Sequence, residues 1–327
     1  MFFFKKRAVS ERLIDQGRHQ ELYLDSIKIS PDNGRIAYVV VLGRYSSVTV
    51  VDGKDEKPYN YHFWNTLIFS PDSKRIAYAA GERNERFVVV DGKEDKEYDD
   101  IGENTPIFSP DSKRVAYIAK KGNNWIVGVD GKEEKPYEAI LKESLLFSPD
   151  SERVAYAALL GNKWFAVVDG KEERPYDNIE FGSLIFSPDG NRMAYTARLG
   201  DKWFVVVDGK EEKQYDVADD TSISSPKSIG LARVDAYAKS GLLPSQKIGK
   251  TKVHPIIFSP DSKQVAYAAR LGYNRWAVIL DGKEEKPYDL VFNIGGSRIV
   301  FDSSDSFHYL VRKGYEIYLV EEKMKPK

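Results

Sequence analysis

Leu67-Ile-Phe-Ser-Pro-Asp-Ser-Lys-Arg-Ile-Ala-Tyr78 recurs as Pro106-Ile-Phe-Ser-Pro-Asp-Ser-Lys-Arg-Val-Ala-Tyr117, Leu145-Leu-Phe-Ser-Pro-Asp-Ser-Glu-Arg-Val-Ala-Tyr156 and Leu184-Ile-Phe-Ser-Pro-Asp-Gly-Asn-Arg-Met-Ala-Tyr195. The prolines Pro31, Pro71, Pro110, Pro149 and Pro188 stand 40, 39, 39 and 39 residues apart, and Pro260 opens a further intact copy. A period near 40 is one supersecondary unit repeated, so the fold follows from what that unit can bury.

Each period reads as four short strands. Strand A is the apolar run ending in Phe-Ser, and Pro-Asp-Ser-Lys supplies a turn through the fixed φ of proline and side-chain bonds from Asp and Ser. Strand B, Arg-Val-Ala-Tyr-Ala-Ala or similar, alternates large and small residues, so Val and Tyr share one face while Ala on the other admits a neighbouring sheet. Strand C, such as Trp203-Phe-Val-Val-Val-Asp208, is β-branched and aromatic, as a strand buried on both faces should be. Asp-Gly then turns the chain into strand D, whose Lys-Pro-Tyr-Asp suits an outer edge because proline there removes no ladder bond.

Such units bury themselves by stacking in a line or by closing a ring. The C-terminus favours the ring: Phe301 to Tyr309 aligns with Phe69 to Tyr78 with one residue deleted, Glu316 to Val320 follows as strand C, and no strand D remains. The segment between Arg12 and Asp25 is the available donor. The expected fold is an all-β β-propeller closed by an N-terminal strand. Markers at Ser30, Ser70, Ser109, Ser148, Ser187, Ser259 and Asp302 count seven blades, but Ser187 and Ser259 are 72 residues apart. That gap reads as seven blades with an insertion at about 217–255, or as eight blades with one degenerate around Ala232 to Gly241. Residues 1–11 read as a flexible N-terminal segment and 12–327 as one propeller domain.

The motif Phe-Ser-Pro-Asp-(Ser/Gly)-x-(Arg/Gln)-(Val/Ile/Met)-Ala-Tyr, at Phe69, Phe108, Phe147, Phe186 and Phe258 and weaker at Ile29, resembles the WD-like repeat of the Tol-system propeller protein and of the propeller domains of prolyl-oligopeptidase-type peptidases. The resemblance covers the chain from about Glu21 and implies the propeller fold. Propellers host binding and catalysis alike, so function must be argued from the site.

Composition narrows the classes. The 327 residues are 42% hydrophobic and 30% charged, which excludes disorder and collagen. With no cysteine there is no thiolate catalysis, Cys-ligated zinc or disulfide. Lys and Arg number 49 against 50 Asp and Glu, so no global field holds a phosphate backbone or an anionic bilayer, and neither nucleic acid nor membrane is expected as a partner. At the N-terminus only Met1 to Phe4 are apolar before Lys5-Lys-Arg7, short of the roughly 7–15 apolar residues of a secretory signal. A cytoplasmic location is expected.

Residues shared by all copies build the blade; residues that differ are free for function. The A–B and C–D turns lie on one face and are nearly uniform, whereas the B–C and D–A loops lie on the other, the top, and vary. Asp-Gly-Lys-Glu reads as turn chemistry, because it lacks the alternating oxygen ligands of a calcium loop. Trp125, Trp164, Trp203 and Trp276 recur at equivalent places and read as packing between blades. The four histidines, His19, His62, His254 and His308, do not cluster as zinc ligands, and no Gly-x-Ser-x-Gly elbow exists. No cofactor, metal or catalytic residue is assigned, and the expectation is a non-enzyme. The uneven top face carries Tyr61-His62-Phe63-Trp64 in a D–A loop, Arg44, Tyr45, Arg83, Arg86, Tyr273 and Arg275 in B–C loops, and Asp219, Asp220 and His254 at the insertion. Aromatic and Arg side chains are the usual anchors of interfaces, so a protein or peptide partner is expected there. The alternatives are a small-ligand or enzymatic site at the mouth of the channel, and ordinary solvated loops.

Overall fold

The Asp-Gly that ends strand C in six copies takes the left-handed conformation at both residues, with φ of 51° and 75° at Asp52-Gly53 and of 52° and 75° at Asp91-Gly92. That is the type I′ turn that matches the twist of an antiparallel hairpin, and it makes the C–D hairpin from local sequence alone. The computed structural model describes residues 21–216, 242–243, 256–272, 275–292 and 299–323. Among these the strands form seven sheets, all antiparallel apart from one two-residue pairing.

The fourth sheet shows the plan. Its strand A comes in two pieces, Ala139–Leu141 and Leu146–Phe147, both paired with strand B, Val154–Leu160. Strand C, Lys163–Val168, pairs with B, and D, Lys171–Glu172, lies outermost. Trp164 and Tyr176 exchange both backbone bonds at 2.8 Å and extend the D edge. This is the four-stranded blade of a β-propeller, and the chain is all-β. Leu242–Leu243, the described part of the expected insertion, pair in parallel with Ile140 and Leu141.

The chain divides into two compact units, Met1–Ile101 and Gly102–Lys327. The first holds two sheets, whose shared core joins Ala37, Val51 and Tyr59 to Leu67, Tyr78 and Phe87. The second holds five sheets. The expected alternation is visible there: Val154 and Tyr156 join the cluster shared with the third sheet, whereas Ala155 and Ala157 join the one shared with the fifth.

The break in strand A has a cause that the repeat motif did not reveal. Thr66, Ser144 and Ser183 each donate to a carbonyl three residues earlier, at 2.6, 2.6 and 2.7 Å, and accept the N–H of Ala79, Ala157 and Thr196 in strand B. A side chain thus replaces one rung of the ladder, and the inner strand kinks without orphaning a backbone group.

The uniform residues are structural at both ends of the sheet. At the A–B end, Asp169 accepts the N–H of Val154 and the Nε of Arg153 at 2.9 and 3.1 Å; Arg153 also donates to Asn191 O of the next sheet and stacks 5.3 Å from the Phe186 centroid. Arg35 does the same in the first unit, with Asp52, Lys74 O and Phe69. At the other end, the acid after the strand-D tyrosine accepts from the B–C turn, as Glu138 does from Gly161 and Asp177 from Gly200. The B–C and D–A connections therefore share one end, as expected.

Two expectations need restating, and one stands. Glu21–Leu22, the end of the expected closing segment, pair with Val40 and Val41 inside the first sheet, while Arg12 to Gln20 lie outside the described residues. The seventh sheet ends as expected with a strand C, Glu316–Lys323, as its outermost strand. The supposed loop Tyr61 to Trp64 is strand, part of Tyr61–Phe69, because its alternating large residues pair with Ala79 to Gly81.

Candidate functional site

The candidate site lies in the first unit, where the B–C turns of its two sheets meet the start of Tyr61–Phe69. Asn60 holds the three together. Its carbonyl accepts the N–H of Arg83 at 2.9 Å, the bond that Glu138 and Asp177 make elsewhere, and its amide donates to Tyr45 O at 2.9 Å. A carboxylate has no proton to donate to that carbonyl, so the second bond requires the asparagine amide.

Arg86 occupies the place of the strand-C tryptophan: it pairs with Tyr98 as Trp125 pairs with Tyr137. In the third and fifth sheets a strand-B cation, Lys120 or Arg198, lies 5.8 Å from the centroid of Trp125 or Trp203. Here the order is inverted. Arg86 lies 4.8 Å from the centroid of Tyr61 and 5.8 Å from that of Phe63, and its Nη1 donates to Glu85 O at 3.0 Å and Arg83 O at 3.3 Å. The facing strand-B residue is Gly81, where an added Cβ would come within 2.7 Å of Arg86 Cδ and 2.8 Å of Glu85 O. Close approach, rather than an unusual φ, requires that glycine.

Beneath the patch the seam between the two sheets is polar. Ser47 and His62 stand where Trp164 and Ile179 stand in the fourth and fifth sheets, and Ser47 Oγ bonds His62 Nδ1 at 2.7 Å. His62 stacks on Tyr78, with centroids 5.6 Å apart and planes at 27°, and its Nε2 is buried without a partner. Burial lowers its pKa to about 4, so the ring is neutral at neutral pH. It was expected on a surface loop, but strand alternation turns it inward, so it supports the patch and is not a contact residue.

Of the other expected residues, Arg44, Tyr45, Tyr61 and Arg83 are exposed and Phe63 is half-buried, all in this unit. Arg275 is exposed and belongs to the second unit. The Trp64 side chain, Tyr273, Asp219, Asp220 and His254 lie outside the described residues.

Two further features stand outside the expected set. Glu180 sits where other inner strands carry Gly102 or Leu141, and burial raises its pKa to about 7. A cleft of about 550 Å³ between the third and fourth sheets is lined by Arg114, Asp130, Lys132, Glu134 and Asp169. Burial raises the pKa of Glu134, which accepts the Tyr156 hydroxyl at 2.7 Å, and Glu173 and Tyr195 repeat the pair at 2.8 Å. Such a cleft is a seam of the repeat. The motif serines are likewise structural: Ser70 and Ser109 are fully buried, and each donates at 2.6 Å to the Asp two residues on. Among the described residues no three His, Asp or Glu side chains converge as metal ligands, and no helix is long and apolar enough to cross a membrane.

No protein-family model and no curated protein matches the sequence. Among solved structures the chain is similar to the β-propeller domain of the Trilobed protease from Pyrococcus furiosus, reported with an open velcro topology, at 14% identity over 94% of this chain and 96% of that one, with a TM-score of 0.36. TolB from Acinetobacter baumannii matches at 20% identity over 78% of this chain and 63% of that one, with a TM-score of 0.32. Hsv2 from Kluyveromyces lactis matches at 10% identity over 91% and 97%, with a TM-score of 0.37. At such scores the likeness carries no activity or partner over to this chain.

Proposed function

We propose that the chain is a non-enzymatic binding module of the cytoplasm, built on a WD-like propeller repeat, that docks a protein or peptide on the patch of Arg44, Tyr45, Tyr61, Arg83 and Arg86. The observation that carries this reading is Asn60. A single amide joins two turns of different sheets around exposed aromatic and guanidinium groups, where equivalent acids in other sheets serve one turn each. Exposed tyrosines beside arginines supply area and directional donors at little entropic cost, which is the composition of interface anchors. A non-enzymatic role is supported by the motif serines, each spent on a turn.

The test is affinity capture from the native host with the wild type and with a Tyr45→Ala/Tyr61→Ala variant. Both side chains are exposed, so the melting temperature of the variant should match the wild type. Loss of specific partners at unchanged melting temperature supports the reading; identical captured sets overturn it.

A further inference from the structure

Resting on that reading, we infer that the partner presents carboxylates: the patch recognises an acidic peptide segment, anchored on the Arg86 guanidinium. Arg86 makes no ion pair, nor do Arg44 and Arg83, among the described residues. The contrast with the motif arginines is direct, since Arg35 and Arg75 bind Asp52 and Asp91 at 2.8 and 2.7 Å. Glu82 and Glu85 flank the same hairpin and pair with none of the three patch arginines.

The guanidinium is also held in place before any partner arrives. Tyr61 and Phe63 lie against it and two carbonyls take Nη1, which leaves Nε and Nη2 for a bidentate acceptor. A carboxylate fits that fork, and side-chain entropy has already been lost in folding. Tyr45 and Tyr61, 63% and 45% exposed, offer faces to an aromatic or aliphatic residue beside the acid. Single-stranded nucleic acid would use the same groups. A phosphate chain, however, draws on many cations along a track, whereas the patch gathers three arginines around one guanidinium fork, which suits a carboxylate contact.

The experiment uses fluorescence anisotropy with the full chain and three labelled probes: a 12-residue peptide of Asp and Glu around one Trp, its Asn/Gln counterpart, and a 12-nucleotide oligothymidylate. The acidic peptide should bind, and Arg86→Gln should weaken it about tenfold or more, with a shallower salt dependence. Arg86 is half-buried, so the exposed pair Arg44→Gln/Arg83→Gln serves as a second variant and should weaken binding in the same direction. Lys132→Gln, in the second unit, should leave binding unchanged. Equal binding of the Asn/Gln peptide, lost in the Tyr45→Ala/Tyr61→Ala variant, overturns the acidic partner while leaving the docking surface standing. Tighter binding of the oligonucleotide, no binding of the acidic peptide, or binding indifferent to all patch arginines overturns the inference outright.

Discussion

The seam between the first and second sheets and the seam between the fourth and fifth are made by the same repeat and hold together by different means. In the second unit Trp164, Ile179, Tyr176 and Phe204 close an apolar layer, and Tyr195 sends its hydroxyl to Glu173. In the first unit the Trp and Ile positions are Ser47 and His62, bonded to each other, and the Tyr78 hydroxyl reaches no carboxylate. Both seams keep the Arg–Asp–Phe lock at the A–B end. The comparison teaches that the lock is common scaffold, and that the sequence has been released from packing only near the end that carries the aromatic–arginine patch.

The largest expected effect tests whether the two seams really differ in kind. Trp164→Ala empties a buried aromatic site and should cost about 3–5 kcal/mol. Ser47→Ala removes one hydrogen bond and leaves His62 Nδ1 unpaired, which should cost about 1–2 kcal/mol. Urea denaturation of each variant measures both. Equal losses would mean that the polar seam is as tightly packed as the apolar one.

The second prediction uses pH to separate the units. His62 titrates near 4 when folded and near 6.5 when unfolded, so its stabilising contribution is full above pH 6.5 and is lost as pH falls towards 4, a change of about 3 kcal/mol. Glu180 runs the other way. Its folded pKa, about 7, lies above the ordinary glutamate value of 4.5, so its contribution is full below 4.5 and is lost as pH rises through 7. Allowing for water at its open side, that swing is about 2 kcal/mol. Glu134, Glu173 and Glu212 are shifted upward by burial as well. The turn carboxylates Asp111 and Asp189, held low by their serine hydrogen bonds, titrate below this window. Between pH 4.5 and 7, His62→Leu should flatten the acid loss of the first unit, and Glu180→Gln should reduce the alkaline loss of the second, the remainder coming from Glu134, Glu173 and Glu212. Hydrogen exchange read separately in 36–90 and 115–207 checks the opposite slopes; parallel slopes would break the comparison.

The strand plan was legible because it rests on local chemistry repeated many times. Asp-Gly demands a type I′ turn, Arg-Val-Ala-Tyr alternates, and proline falls on the outermost strand, where Pro58 lies opposite Val48. The kink in strand A was not legible. Its Ser or Thr stands at 26, 66, 105, 144 and 183 in otherwise variable loops, so it shows only when the copies are aligned outside the motif. The patch was half legible. Its exposed aromatic and arginine residues were visible as departures from the repeat, but His62 was misplaced because a four-residue segment cannot declare itself strand or loop. Gly81 and Asn60 carry no signal in the sequence, since each acquires meaning only from the residue across the strand or the turn above it.

Asn60 gives the smallest effect on stability and the most specific one on the site. Asn60→Asp keeps the oxygen that accepts the Arg83 N–H and deletes the donor to Tyr45 O. The freed carbonyl belongs to an exposed residue and can turn to water, so the cost should be about 0.5–1 kcal/mol. Residues 44–46 should nevertheless exchange amide protons faster and the acidic peptide should bind more weakly, because two turns once held in one arrangement now move separately. The mirror substitution in the second unit, Asp177→Asn, keeps an acceptor for Gly200 while losing the charge facing Lys163, and it has no second turn to release. Faster exchange at 44–46 in Asn60→Asp, with no equivalent change in Asp177→Asn, would show that one amide proton converts a scaffold clip into a binding surface. Equal behaviour of the two variants would reduce Asn60 to another clip.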